Sequence, residues 1–115
     1  SQRVPPALIG LGLLEQISDK QLLANEDIND TNKDGISGKA NRVYSPETSK
    51  IEIGRYNWKA NASKVKHQVA GAMSNDMGLT SPLYPAENCT KVQKECLESP
   101  KGRDPFDVPM KRLDA

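Results

Sequence analysis

Apolar residues crowd the start of this chain without leaving a polar stripe: Leu8, Ile9, Leu11, Leu13, Leu14 and Ile17 point to every side of a helical wheel. Pro5-Pro6 suits a first helical turn, so the pattern predicts an apolar helix from there, buried all round. Gly10 and Gly12 are poor helix formers and suggest close approach by a neighbour. Ser18 or Asp19 can cap a second, short helix through Leu23 and Ala24. Period-two alternation over Arg42-Val43-Tyr44 and Ile51-Glu52-Ile53, joined by Ser45-Pro46-Glu47-Thr48, predicts a β-hairpin. Helical spacing returns at Val65, Val69, Ala72, Met73 and Met77, with Ser63 as N-cap and Gly78 at the stop. Beyond Gly78, Pro82, Pro85, Pro100, Pro105 and Pro109 break any long element, so the tail should be extended or looped.

These signals divide the chain into an apolar and a short helix (1–26), a polar loop (27–41), a hairpin with a tryptophan loop (42–62), a helix (63–78) and a Pro-rich irregular tail (79–115). The fold class expected is mainly α with one short β-hairpin and much irregular structure. At 115 residues there is room for one small domain, or a fragment of a larger one. With 36% hydrophobic and 4% aromatic residues the core should be thin. The partner of the N-terminal helix is then expected outside this chain, whose abrupt apolar start suggests an excised piece.

Charge excludes some partners. With 16 basic and 15 acidic residues the net charge is +1, and no basic stripe interleaves with aromatics, which gives no case for nucleic acid or an anionic membrane. The longest apolar stretch, Ala7 to Leu14, is too short to span a bilayer, and no charged leader is visible. Sequons at Asn29, Asn61 and Asn88 would matter only in a eukaryotic secreted protein.

The most specific motif lies in Asp30-Thr31-Asn32-Lys33-Asp34-Gly35-Ile36-Ser37-Gly38. Oxygen-bearing side chains alternate at Asp30, Asn32 and Asp34, and Gly35 permits the sharp turn that follows. Ile36 can add its carbonyl, which together makes the opening of a calcium loop. With Asp30 as position one, position twelve is Asn41 rather than the bidentate Glu of an EF-hand, and no paired long helices flank the loop. The expectation is calcium held by Asp30, Asn32, Asp34, Ile36 and Asn41 outside an EF-hand. The plainer reading is a polar surface turn.

Cys89 and Cys96 stand in a polar, Pro-flanked segment with one His in the whole chain, too few ligands for a metal. A local disulfide is the better reading, and it implies an oxidising compartment; two free thiols in a cytosolic protein are the alternative. Thiol–disulfide exchange is disfavoured because the spacing is not Cys-x-x-Cys. His67 falls opposite the Val65–Val69–Met73 face, beside Ala70, Gly71 and Ser74, small residues that would let a cofactor or chain approach; the simpler reading is a solvated histidine. Met73 and Met77 can ligate haem iron through sulfur, but at helical spacing methionines are more often core. No catalytic Ser/His/Asp or Cys/His constellation and no phosphate loop is present.

Five ordered phrases then matter together: Arg3-Val-Pro-Pro-Ala-Leu-Ile-Gly-Leu-Gly-Leu-Leu-Glu, Asp34-Gly-Ile-Ser-Gly, Gly54-Arg-Tyr-Asn-Trp-Lys-Ala, Gln68-Val-Ala-Gly-Ala, and Asp76-Met-Gly-Leu-Thr-Ser-Pro-Leu-Tyr-Pro leading to Glu87-Asn-Cys-Thr. Over roughly residues 3 to 96 they resemble the bacterial di-haem c-type cytochrome oxidoreductases, also labelled thiol oxidoreductases and related to di-haem peroxidases. The resemblance implies a cytochrome-c-type parent fold, a periplasmic or secreted location, haem c in the parent protein, and haem-bearing segments or a redox partner as neighbours. It implies calcium in the acidic loop and places Trp58 near the haems, where it would help electron transfer; the simpler reading of Trp58 is a core residue packed on the hairpin. His67 stands where a non-His residue is expected, which lowers it as a haem ligand, and the last 20 residues match nothing in the family pattern. A c-type haem needs Cys-x-x-Cys-His, which is absent here. The expectation is a segment of such an oxidoreductase, inactive alone, supplying a calcium-stabilised element near the haem interface. The alternative is a non-enzymatic extracellular calcium-stabilised protein-interaction module.

Overall fold

In the computed structural model, which describes residue 4 and residues 7–114, Gly10 decides how the apolar N-terminal stretch folds. Its φ of +82° lies in the left-handed region that glycine reaches without a Cβ clash. Helix α1 therefore runs only over Leu11–Glu15. The long helix expected from Leu8 to Ile17 is cut to little more than one turn, and its expected opening at Pro5-Pro6 lies outside the described residues. Within this chain Leu8, Ile9 and Leu13 are 77%, 96% and 71% exposed.

Helix α2, Asp19–Ala24, forms where its cap predicts. Ser18 accepts the Gln21 amide proton at 3.3 Å, and the Gln21 side chain accepts the Ser18 amide at 3.1 Å. This reciprocal pair satisfies two backbone donors that a helix start leaves open. Strands β1, Arg42–Ser45, and β2, Lys50–Ile53, pair antiparallel with Val43 opposite Glu52 and Ser45 opposite Lys50. The connection closes through the Ser49 amide on the Ser45 carbonyl at 2.9 Å. Apart from the buried Ser45, the strand positions are half-buried or exposed, consistent with a two-stranded sheet that has one thin partner layer.

Two compact units divide at Val65 and Lys66. Within residues 1–65 the one buried large hydrophobe among the described residues is Tyr56; Ser45 and Ser63 are buried beside polar partners instead. This unit is held mainly by hydrogen bonds. Within residues 66–115, Ala70, Val108 and Leu113 make a small core, and Met73, Leu79, Leu83, Tyr84 and Met110 pack against it.

Helix α3, Val65–Met77, is the longest element and stops at Gly78, whose φ is +71°. Nested bonds from Gly78 to the Ser74 carbonyl and from Leu79 to the Met73 carbonyl close its end. Its buried side differs from the apolar face expected. His67, Ala70 and Ser74 are inside, whereas Val69 and Met77 are 37% and 67% exposed. Small side chains explain the inversion: Gly71 lets the Tyr84 ring approach, with its hydroxyl 3.5 Å from where a Cβ would stand. His67 is therefore buried rather than solvated.

The tail is irregular as expected, except for two short helices, α4 at Lys94–Glu98 and α5 at Met110–Leu113. It is tied down by Thr80 and Asp107. The Asp107 carboxylate accepts both the amide and the hydroxyl of Thr80, at 2.8 and 2.7 Å. The described residues thus give five short helices and one two-stranded sheet in much irregular chain.

Candidate functional site

The phrase Gly54-Arg55-Tyr56-Asn57-Trp58 supplies the strongest constellation in the first unit. Gly54 follows β2 with no room for a side chain, since a Cβ there would stand 1.7 Å from the Ala60 carbonyl oxygen. The chain then loops and returns, with Tyr56 and Ala62 bridged antiparallel. This turn aims three donors back at the N-terminal segment. Arg55 Nη1 donates to the Leu14 carbonyl at 3.0 Å and to that of Ile17, and Nη2 pairs with Asp19 at 2.6 Å. The Tyr56 hydroxyl donates to the Leu11 carbonyl at 3.1 Å, and Trp58 Nε1 to that of Val4 at 2.8 Å. The last carbonyls of a short helix have no partners within it, and α1 has no basic residue in its last turn. Arg55 takes that role from forty-one residues away.

Holding the segment by its backbone leaves its side chains outward. Val4, Leu8, Ile9 and Leu13 are exposed, and Trp58, whose simpler reading is a core residue, is itself 75% exposed. Its indole is fixed by the Nε1 bond rather than by packing on the hairpin. Burial raises the Tyr56 phenol above its usual pKa, with Glu15 adding to the effect.

The acidic loop is closed at its base by a bridge between Asp27 and Gly38, with the Asp27 amide 2.9 Å from the Gly38 carbonyl. Asp30, Lys33 and Gly35 all take positive φ, which winds the intervening residues tightly. The loop's own amides claim its oxygens. Asp30 accepts from Asp34 and Gly35, Asp34 accepts from Ile36, and the Asn32 amide donates to Asp34 at 2.9 Å. Asp27, which the sequence reading passed over, is the anchor: the Thr31 amide and hydroxyl reach it at 2.9 Å and hold its carboxyl below the usual range. Asn41 instead donates to the carbonyls of Lys59 and Ala60, at 3.1 and 3.0 Å. Among the described residues, no group of three or more His, Cys, Asp or Glu side chains is placed to hold a metal.

A second polar cluster lies under the hairpin. Partial burial pushes the Glu52 carboxyl up, but hydrogen bonds from Ser63, Thr48 and Ser45 and the Lys64 charge outweigh it, leaving it below its ordinary value. In the second unit, Thr80 holds the Asp107 carboxyl below the usual range in the same way as Thr31 holds Asp27.

Cys89 and Cys96 form a disulfide with their Cα atoms 5.9 Å apart, so neither thiol can make a haem thioether. With no Cys-x-x-Cys-His in the sequence, the residues of this chain do not fit covalent haem attachment. Met77 is exposed on α3 and His67 is buried within it, so the two weak ligand candidates do not share a face.

A comparison with protein families matches residues 1–99 to the family described as di-haem oxidoreductase, putative peroxidase. The chain belongs to this family. Comparisons with curated proteins and with solved structures found no match. Among the described residues no helix is long and apolar enough to cross a membrane.

Proposed function

We propose that this chain is a scaffold segment of a periplasmic di-haem oxidoreductase with a cytochrome-c-type parent fold, and that it packs against haem-bearing segments without holding haem itself. The observation that carries this reading is the pairing of family membership with a chain that has no haem-attachment motif. The outward apolar side chains of Val4, Leu8, Ile9 and Leu13, fixed from behind by Arg55, Tyr56 and Trp58, support it as the face such a segment would cover. The exposure of its indole supports Trp58 as the aromatic that would approach a haem and assist electron transfer. The Cys89–Cys96 bond supports an oxidising compartment.

Calcium belongs to the same proposal. Asp30 and Asp34 retain lone pairs beyond those used by the loop amides, and with Asn32 and the Ile36 carbonyl they would complete a cation shell after small side-chain movements; Asn41 would join only by leaving the 59–60 carbonyls. The coding sequence on either side tests the haem reading. A Cys-x-x-Cys-His motif in a flank supports it; its absence on both sides favours the extracellular interaction module, which the disulfide also suits.

A further inference from the structure

We propose that the outer edge of β2 is a self-pairing surface, on which a second copy of this chain lays its own β2 antiparallel about a two-fold axis at Ile51. The inference is independent of haem and of calcium. The Gly54 amide meets the carbonyl of Asn41 at 2.9 Å, and these two residues stand opposite each other in the register that pairs Arg42 with Ile53. Hydrogen-bonded pairs alternate along an antiparallel ladder, so they recur at Val43–Glu52 and Ser45–Lys50. Ile51 therefore turns its N–H and C=O away from β1. Among the described residues no third strand, and no hydrogen bond from outside the hairpin, reaches those groups. An open edge of this kind fits one chemistry, another extended backbone.

Charge complementarity selects the second copy and its register. With Ile51 opposite Ile51, each Lys50 faces the Glu52 of the other chain, and the two-fold makes this pair twice. These are non-hydrogen-bonded positions, where opposed side chains come closest. Lys50 is exposed and has no ion pair among the described residues. Glu52 accepts from Thr48, Ser63 and Ser45, which leaves its charge and one of the about four lone-pair positions of a carboxylate. The neighbouring register, with its two-fold at Glu52, would add the Ile53 backbone but sets two Glu52 carboxylates against each other at the closest positions.

The opposite face of the hairpin agrees. Tyr44 and Ile51 stand opposite each other across the strands and are 63% and 64% exposed. Pairing at Ile51 joins them into one row, Tyr44–Ile51–Ile51–Tyr44, of aromatic and β-branched neighbours. The positive φ of Ser49 ends the strand, so the contact is short and the dimer transient.

The test is self-association of the 115-residue chain, read by NMR diffusion and amide shifts. Concentrations from about 0.05 to 1 mM cover the range in which a transient contact becomes populated. Diffusion that slows with concentration, and shifts confined to residues 42–53, are expected. Ile51→Pro should abolish both, because it removes the amide donors at the two-fold. The hairpin should survive it, since proline is tolerated where a strand's N–H faces solvent, and wild-type amide dispersion checks this. Lys50→Glu should weaken association about fivefold or more at low salt, and Lys50→Arg should keep it. A chain that stays monomeric, shifts centred on Leu8, Ile9 and Leu13, or a dimer that Lys50→Glu leaves unchanged would overturn the proposal. If Ile51→Pro does not fold, the two Lys50 variants still decide it.

Discussion

Arg55 reaches back forty-one residues to hold the Leu14 carbonyl at 3.0 Å, and with Ile17 and Asp19 it joins two helices that share little apolar contact. Its side chain is 12% exposed and Asp19 is 61% exposed, and of the three bonds the one to the Ile17 carbonyl is partly buried. Arg55→Ala should therefore destabilise the chain by about 1–3 kcal/mol, chiefly because it leaves the partly buried Ile17 carbonyl without its donor. Arg55→Lys should recover only part of this, because an ammonium cannot reproduce the planar fork. Urea unfolding followed by fluorescence of Trp58, the single tryptophan, reads this unit directly.

Gly54 makes a sharper prediction. A Cβ at 1.7 Å from the Ala60 carbonyl oxygen meets backbone, not a flexible side-chain end. Gly54→Ala should prevent the 56–62 turn from closing and release Tyr56 and Trp58 from the N-terminal segment. Loss of amide NMR dispersion across the first unit is the expected result; wild-type dispersion would show that the turn has slack.

Acid stability follows from three carboxyls. Asp27, Glu52 and Asp107 are all held below their ordinary values. A depressed folded pKa gives stability that is present above the unfolded value, about 4, and is lost as pH falls through the lower folded value. Stability should be flat from about pH 5 to 8 and decline below about pH 4, less steeply in Asp107→Asn. Tyr56 acts at the other end. Its raised pKa gives stability that is complete below the unfolded value, about 10, and fades as pH climbs past the higher folded value. Melting temperature against pH shows both arms.

Reducing Cys89–Cys96 should lower stability by about 2–3 kcal/mol through the entropy of a short open loop. Loss of structure should begin in the second unit, where Ala70, Val108 and Leu113 form so small a core. Urea melts with and without dithiothreitol measure it.

For calcium, melting with excess cation and with chelator is direct, because a ligand held only by the folded chain raises its stability. A higher midpoint with calcium, lost in Asp30→Asn, is expected. An unchanged midpoint would leave the loop as a turn sustained by Asp27 and its own amides.

The elements with local signals were legible from sequence. A capping residue at Ser18 or Asp19 announces α2, alternation announces the hairpin, and Gly78 ends α3. The misreadings share a cause: periodicity says which side chains are apolar, not which face has a partner. On α3 the side with Ala70, Gly71 and Ser74 packs because it is small, taking His67 inside and leaving Val69 and Met77 out. The N-terminal stretch reads as one long helix because it is apolar throughout, yet Gly10 turns it and, within this chain, its carbonyls are held. Arg55, Tyr56 and Trp58 carry their donors across more than forty residues, a relationship no local pattern contains; three long donors just after a strand were the available clue.

The central claim is that this haem-free chain is part of a haem-bearing oxidoreductase. The most direct measurement is digestion of the full-length gene product, purified from its native host, with mass spectrometry of its haem peptides. The account predicts two covalently attached haems, both on peptides outside residues 1–115, and a residue 89–96 peptide that stays disulfide-bonded. A product without haem, or a haem on any peptide within these residues, would contradict it.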